Sequence, residues 1–153
     1  MTGISKHKDP VPTVDLIVRK GSLLLLEHRG RPPFPDQPCL PGGHVEYGET
    51  VEAAALRELK EETTLTAELV AILGVYSDPR RDPRGQSIST VFIADWVAGE
   101  PEGRDDAKSA QWFEITEVKK LLPKMAFDHA KIVGDYFHWN ESAKITFWST
   151  KKR

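Results

Sequence analysis

The side chains in this sequence whose types and spacing could do chemistry lie between Gly42 and Leu65, in GGHVEYGETVEAAALRELKEETTL. Glu58 and Glu62 stand four residues apart and Glu58 and Glu61 three apart, so a helix here puts three carboxylates on one face. Like charges at that spacing weaken an isolated helix by roughly a few tenths of a kcal/mol per pair. A chain that keeps them together either leaves them in water or places a cation among them. We read the stretch as a cation site, which needs other elements to hold that face in place.

The neighbouring residues supply such elements. Thr50 is placed to cap a helix starting at Val51, and Val51, Ala55 and Leu59 form an apolar stripe away from Glu58 and Glu62. Ahead of the helix, Cys39 to Gly43 reads as a short extended piece running into a glycine turn. The four prolines of Gly30 to Pro38 enforce a loop before it. Thr13 to Arg19 and Ser22 to His28 read as strands joined by a hairpin at Lys20-Gly21. The Leu23–Leu26 run does not alternate, which predicts a strand covered on both faces. Asp15 is expected at a strand end facing water, since aspartate is rarely buried, with a buried acid as the alternative.

Downstream, Thr66–Val75 and Ser87–Val97 read as strands, with polar loops at Tyr76–Gln86 and Gly99–Asp106. Ala110–Phe113 reads as a short strand, Thr116 as the cap of a short helix ending near Pro123, Phe127–Trp139 as a helix, and Lys144–Trp148 as a last strand. Strands and helices mix along the chain, which predicts an α+β fold with a mixed sheet and helices packed on it.

At 153 residues the sequence suits one domain, with residues 1–10 as a flexible lead-in. With a net charge of −2, no global basic field argues for a nucleic-acid partner or an anionic membrane surface. Cys39 is the single cysteine, which excludes an internal disulfide and a cysteine-based zinc site and suits a reducing compartment. No apolar run approaches the length of a bilayer span. A cytoplasmic location is the expectation.

Written as a pattern, Gly43, five residues, Glu49, seven residues and Arg57-Glu58-Leu59-x-Glu61-Glu62 resembles the Nudix box of the Nudix hydrolases. Seven fixed positions coincide by chance roughly once in a few hundred million starts, and a solvated acidic helix does not explain the turn, Glu49 and Arg57 together. The resemblance implies an α/β/α sandwich and hydrolysis of a phosphoanhydride, in which neutralising and positioning anions is most of the task. Hard oxygen ligands suit Mg²⁺, with Mn²⁺ as the alternative. By resemblance, Glu58, Glu61, Glu62 and the Gly42 carbonyl are the metal ligands. Glu58, Glu61, Arg57 and Glu49 are the catalytic set, with Arg57 held by Glu49 and orienting Glu58. The bland alternative for Arg57 is a surface cation pairing with Glu61. Thr64 stands where the family has glycine at a positive-φ helix end, so Thr64→Gly is expected to raise the melting temperature.

Three further pieces resemble the ADP-ribose pyrophosphatase branch of that family: YSDP with RDPRG at 76–85, Asp105-Asp106-Ala107 before Trp112-Phe113, and Ala126-Phe127-Asp128-His129. They mark Arg81, Arg84, Asp82 and His129 as substrate-binding candidates, and Asp106 as a candidate base or further ligand. Each has a plainer alternative: local Asp–Arg pairs in a solvated loop, a turn at Asp105-Asp106, and a structural histidine. Tyr76, Trp112 and Phe127 are expected in the core, with stacking on a base as the alternative. Gln86 and Cys39 replace a histidine and an aromatic usual in that branch.

The resemblance therefore implies a metal-dependent hydrolase of a nucleoside diphosphate linked to another moiety, with ADP-ribose giving AMP and ribose 5-phosphate. A sanitising hydrolase of a modified nucleoside triphosphate and a non-catalytic nucleotide sensor are the alternatives. The partner is a small nucleotide, with neither nucleic acid nor membrane. The family often dimerises, so a homodimer is an expectation too.

Overall fold

Two strands and the alternation of their side chains decide the layering. In β1 (Val11–Lys20), Val14, Leu16 and Val18 face one layer and Ile17 the other. In β2 (Leu23–Arg29), Leu25 faces the first layer and Leu24 and Leu26 the second. The leucine run is thus covered on both faces, as its lack of alternation predicts. These coordinates come from a computed structural model and describe residues 9–105 and 107–153.

One layer is α1 (Val51–Thr63), which packs Ala54, Ala55 and Leu59 on the sheet. The other consists of α2 (Ile115–Leu121) and α3 (His129–Glu141), contributing Val118, Ile132, Val133, Tyr136 and Trp139. Between them lie β1, β2, β3 (Pro38–Cys39), β4 (Gly42–His44), β5 (Thr66–Tyr76), β6 (Ser87–Ala98), β7 (Ala107–Glu114) and β8 (Phe147–Trp148). The sheet is mixed: β1 runs parallel to β6 from Val11↔Ser87 to Arg19↔Asp95, and β8 is parallel to β5, while the remaining pairs are antiparallel. The fold is α+β, an α/β/α sandwich.

The relation of β1 to β2 creates the site. They pair only next to their turn, at Arg19↔Leu24 and Lys20↔Leu23. Beyond it they splay apart: β1 takes β4 as its partner at Thr13↔His44, Val14↔Gly43 and Asp15↔Gly42, while β2 takes β3 and β7. The glycine turn is inserted into the mouth of that split.

Three local expectations need correction. The hairpin turn is Gly21-Ser22 and not Lys20-Gly21, so the glycine comes first, where its φ of 58° meets no Cβ penalty. Thr116 lies inside α2, whose N-cap is Glu114 with no side-chain cap bond. Asp15 is not at a water-facing strand end: it sits within β1, is 7% exposed, and shares the α3 side of the sheet with Ile17. Charge pairing in that layer, described below, overrides the usual exclusion of aspartate from interiors.

Candidate active site

Helix α1 begins as the sequence requires, with Thr50 Oγ1 accepting the Ala53 N–H at 3.1 Å. Arg57 projects back over the loop before the helix. It donates to both Glu49 carboxylate oxygens, from Nε at 2.9 Å and Nη2 at 2.6 Å, and to the His44 carbonyl at 2.9 Å. Its Nη1 reaches Glu58 at 2.9 Å and Glu61 at 3.2 Å. Arg57 therefore makes both sets of contacts, since one guanidinium fork hydrogen-bonds three carboxylates. The Arg57 hydrogen bonds hold the Glu49 carboxyl down to about 2.

The three helix glutamates do not share one environment. Glu62 is buried, and its Oε2 accepts the Gly42 N–H at 3.3 Å. The Glu58 side chain is 15% exposed and its carboxyl group occupies the place a Cβ on Gly43 would take, while a Cβ on Gly42 would fall on the Val14 carbonyl of β1, so the strand pairing there needs glycine. Glu61 is 49% exposed and is not among the residues lining the cleft. Gly42, Gly43, Glu58 and Glu62 line a cleft of about 330 Å³ at the split between β1 and β2.

The same cleft receives a residue the sequence reading passed over. Glu27, in β2, is 4% exposed, and its Oε1 has no hydrogen-bond partner. It has the parity of Leu25, so it points toward α1 and Glu62. The available signal was a charged residue ending a run expected to be covered on both faces. Burial raises the Glu27 and Glu62 carboxyls, and the charge of Glu58 raises each further. The hydrogen bond between them lowers Glu27 and raises Glu62, which assigns their shared proton to Glu62. Burial raises Glu58 also, outweighing Arg57.

The cleft is also lined by basic and aromatic side chains. Arg29, Arg31, Arg84 and Phe127 belong to it, as do the predicted Arg81, Asp82 and His129. Phe127 is half-buried and not in the core, with the Arg29 guanidinium 4.8 Å and the Arg84 guanidinium 5.7 Å from its ring centre and Phe34 edge-on at 4.9 Å. Tyr76 and Trp112 do pack with the core clusters. Arg84 forms the local pair expected of a solvated loop, with Asp82 at 2.9 Å.

Arg81 is placed differently. It is buried, and its guanidinium donates to both Asp128 oxygens at 2.9 and 2.7 Å, to Ser87 at 2.8 Å and to Asp15 at 3.5 Å. Asp15 also accepts from Ser89 at 2.5 Å and lies 3.4 Å from His129 Nε2. Burial raises the Asp15 carboxyl, but His129, Arg81 and Ser89 together lower it further, so it stays ionised. His129 Nδ1 accepts the Leu40 N–H at 3.0 Å, which puts its proton on Nε2, toward Asp15. This network ties the start of α3 to the strand leading into Gly42, helped by Ala126 N–H to the Pro38 carbonyl and Leu16 N–H to the Pro41 carbonyl, both 2.9 Å.

Thr64 ends α1 in the left-handed conformation, φ 69°, with its N–H on the Lys60 carbonyl and its Oγ1 donating to the Glu100 carbonyl at 2.8 Å. The following loop caps the helix: Glu102 N–H reaches the Thr63 carbonyl at 3.0 Å and Arg104 N–H the Glu62 carbonyl at 2.8 Å. Asp105 follows, exposed at φ 52°. Asp106 lies outside the described residues.

Among the described residues, no three His, Cys, Asp or Glu side chains are already gathered so as to hold a metal ion. Arg57 draws the Glu58 and Glu61 carboxylates toward itself. The donor set nonetheless fits a hard divalent cation, since all its groups are oxygens, Glu27 Oε1 is an orphaned acceptor, and burial makes uncompensated charge costly there.

A family profile, the NUDIX domain, matches residues 8–136. The chain belongs to the Nudix family. Among Nudix relatives, an ADP-ribose pyrophosphatase from Methanocaldococcus jannaschii is 51% identical over 130 residues, 85% of this chain and 75% of that one. A NUDIX hydrolase from Nitrosomonas europaea superposes with a TM-score of 0.82 at 21% identity, covering 96% of this chain and 82% of its own. The bifunctional NMN adenylyltransferase/ADP ribose pyrophosphatase of Francisella tularensis, complexed with AMP and a manganese ion, superposes at 0.73 with 28% identity. It is matched over 86% of this chain and 42% of that longer one. This Nudix chain is a hydrolase of that family, and none of its described helices is long and apolar enough to cross a membrane.

Proposed function

We propose that this chain, as one Nudix domain, hydrolyses a nucleoside diphosphate linked to a second moiety, with ADP-ribose split into AMP and ribose 5-phosphate. Mg²⁺ is the proposed metal, with Mn²⁺ able to replace it. The observation that carries this reading is the mixed lining of the cleft: Glu58, Glu62 and Gly42 share it with Arg29, Arg31, Arg84 and Phe127. A diphosphate needs a cation on one side and matches guanidinium on the other. The relative at 51% identity supports ADP-ribose as the diphosphate compound.

Glu58, Glu62 and the Gly42 carbonyl would hold the metal, with Glu61 as a further ligand. When bound it would neutralise diphosphate oxygens and lower the pKa of a coordinated water. Arg57 positions Glu58 and is itself fixed by Glu49. Gly43 leaves the space that Glu58 occupies. Arg84 and Phe127 would receive a phosphate and a ring of the substrate. Arg81, His129 and Asp82 also line the cleft and would act there by fixing Asp15, the Leu40 turn and Arg84. Asp106 is proposed as the base that takes the proton of the attacking water, by resemblance alone.

The test is product identification with purified protein, ADP-ribose and Mg²⁺. AMP and ribose 5-phosphate in equal amounts are expected, with Glu58→Gln and Glu62→Gln slower by orders of magnitude while still folded. Wild-type rates in both variants, or pyrophosphate release from a nucleoside triphosphate as the only reaction, would overturn the proposal.

A further inference from the structure

The buried carboxyl of Glu27 is not part of the Nudix box, and its sequence neighbours are the leucines of β2. Strand parity turns it to the same side as Leu25, toward α1. Its Cα registers with Cys39 on one neighbouring strand and with Ala110 on the other, so it stands in the interior of the sheet, next to the strand that leads into the glycine turn. Glu27 is 4% exposed, Glu62 is 7% exposed, and both line the cleft with Glu58 and Gly42. Glu62 has the Gly42 N–H as a partner, whereas Glu27 Oε1 has none.

A leucine at this position would continue the run and close the core. A glutamate instead brings a carboxylate to the cleft, one oxygen of which, Oε1, is left without a donor. A cation satisfies such an oxygen without needing a hydrogen, and hard divalent ions take oxygen ligands from separate elements readily. Glu27 brings this oxygen from β2, an element separate from α1 and from the Gly42 turn.

We infer that Glu27 is an additional carboxylate ligand, supplied by the sheet, for the divalent cation held by Glu58, Glu62 and the Gly42 carbonyl. The inference rests on the proposed metal-dependent function for the location of the ion, but not on the identity of the substrate. The ion is thereby gripped between layers, with α1 on one side and β2 on the other. Its binding couples the position of the helix to that of the strand.

The experiment is titration of Mn²⁺ alone into the full chain, followed by calorimetry and by the Mn²⁺ electron paramagnetic resonance signal, without nucleotide. Wild type, Glu27→Gln, Glu27→Asp and Glu27→Leu are compared, with thermal melts in EDTA to establish that each is folded. Glu27→Gln and Glu27→Leu are expected to lose one ion from the stoichiometry or at least tenfold in affinity, with Glu27→Asp in between. The Mn²⁺-induced rise in melting temperature should shrink in the same order. Unchanged stoichiometry with affinity within twofold in folded Glu27→Gln and Glu27→Leu would overturn the inference, even if the wild type splits ADP-ribose. Conversely, Glu27-dependent Mn²⁺ binding in a chain that leaves ADP-ribose intact would uphold the inference and overturn the substrate reading.

Discussion

Glu49 holds Arg57 through two hydrogen bonds, 2.9 Å to Nε and 2.6 Å to Nη2, which leaves Nη1 for Glu58. The fork geometry matters, because a lysine could contact one of these carboxylates but could not span them. The loop from Gly42 to Thr50 and the middle of α1 are joined by this grip.

The grip should have an acid limit. Glu49 ionises at about 2 in the folded chain against an ordinary 4.5, so its contribution to stability is complete above about pH 4.5 and disappears as pH falls toward 2. The difference in urea midpoint between wild type and Glu49→Gln should be constant from pH 7 to 5 and shrink below pH 4.5. A difference that does not change down to pH 3 would contradict the pairing. Arg57→Lys should lower kcat by about 10- to 100-fold, the scale of losing a group that orients a ligand.

Arg81 and Arg84 should part company under mutation despite their proximity in sequence. Arg81 is buried on Asp128 and Asp15, and breaking a buried pair from one side costs about 3–5 kcal/mol. Arg81→Ala should therefore lower the denaturation midpoint steeply. Arg84, 56% exposed in its side chain, should leave stability nearly unchanged when truncated and raise KM for the diphosphate substrate. Calorimetric melts combined with steady-state kinetics separate the two, and a stable Arg81→Ala protein with only a raised KM would reverse the assignment.

Thr64 modifies the expectation drawn from sequence. A left-handed residue with a branched Cβ is strained by about 1–2 kcal/mol, but its hydroxyl recovers a hydrogen bond to Glu100, about 0.5–1.5 kcal/mol. Thr64→Gly relieves the first and loses the second, so its stability should stay within about 1 kcal/mol of wild type. Thr64→Ala keeps a strained Cβ and loses the bond, and should be less stable than Thr64→Gly. Equal melting temperatures for the two variants would remove the case for strain at this position.

The Glu27–Glu62 pair predicts the opposite pH trend from Glu49. A carboxyl raised on folding keeps its proton in the folded chain when the unfolded chain has lost it, so stability falls as pH rises through that interval. For Glu27 the interval runs from about 4.5 to about 7, and Glu62 extends it upward. In EDTA, Glu27→Gln should gain stability over wild type as pH rises from 5 to 8. Added Mn²⁺ should remove the gain, because the ion replaces the proton. A gap between the two proteins that is flat with pH in EDTA would refute this.

What the sequence alone determined is local. Glu58, Glu61 and Glu62 lie on one helix, where spacing fixes the face they share, and Thr50 stands where that helix needs a cap, so both were legible before any fold was known. The leucine run announced its two-sided burial for the same reason. The Arg57 grip on Glu49 was legible only through the resemblance to the Nudix box. Tertiary structure alone decided the rest. Glu27 meets Glu62 from a distant strand, and whether a strand residue faces a cleft or a core depends on which layer covers it and where its neighbours diverge. Asp15 was expected in water because an isolated aspartate cannot be buried cheaply, yet Arg81, Ser89 and His129 converge on it from β6, α3 and the loop before β6. Such compensation is non-local. It arises from the packing of separate elements, which spacing along one chain does not encode.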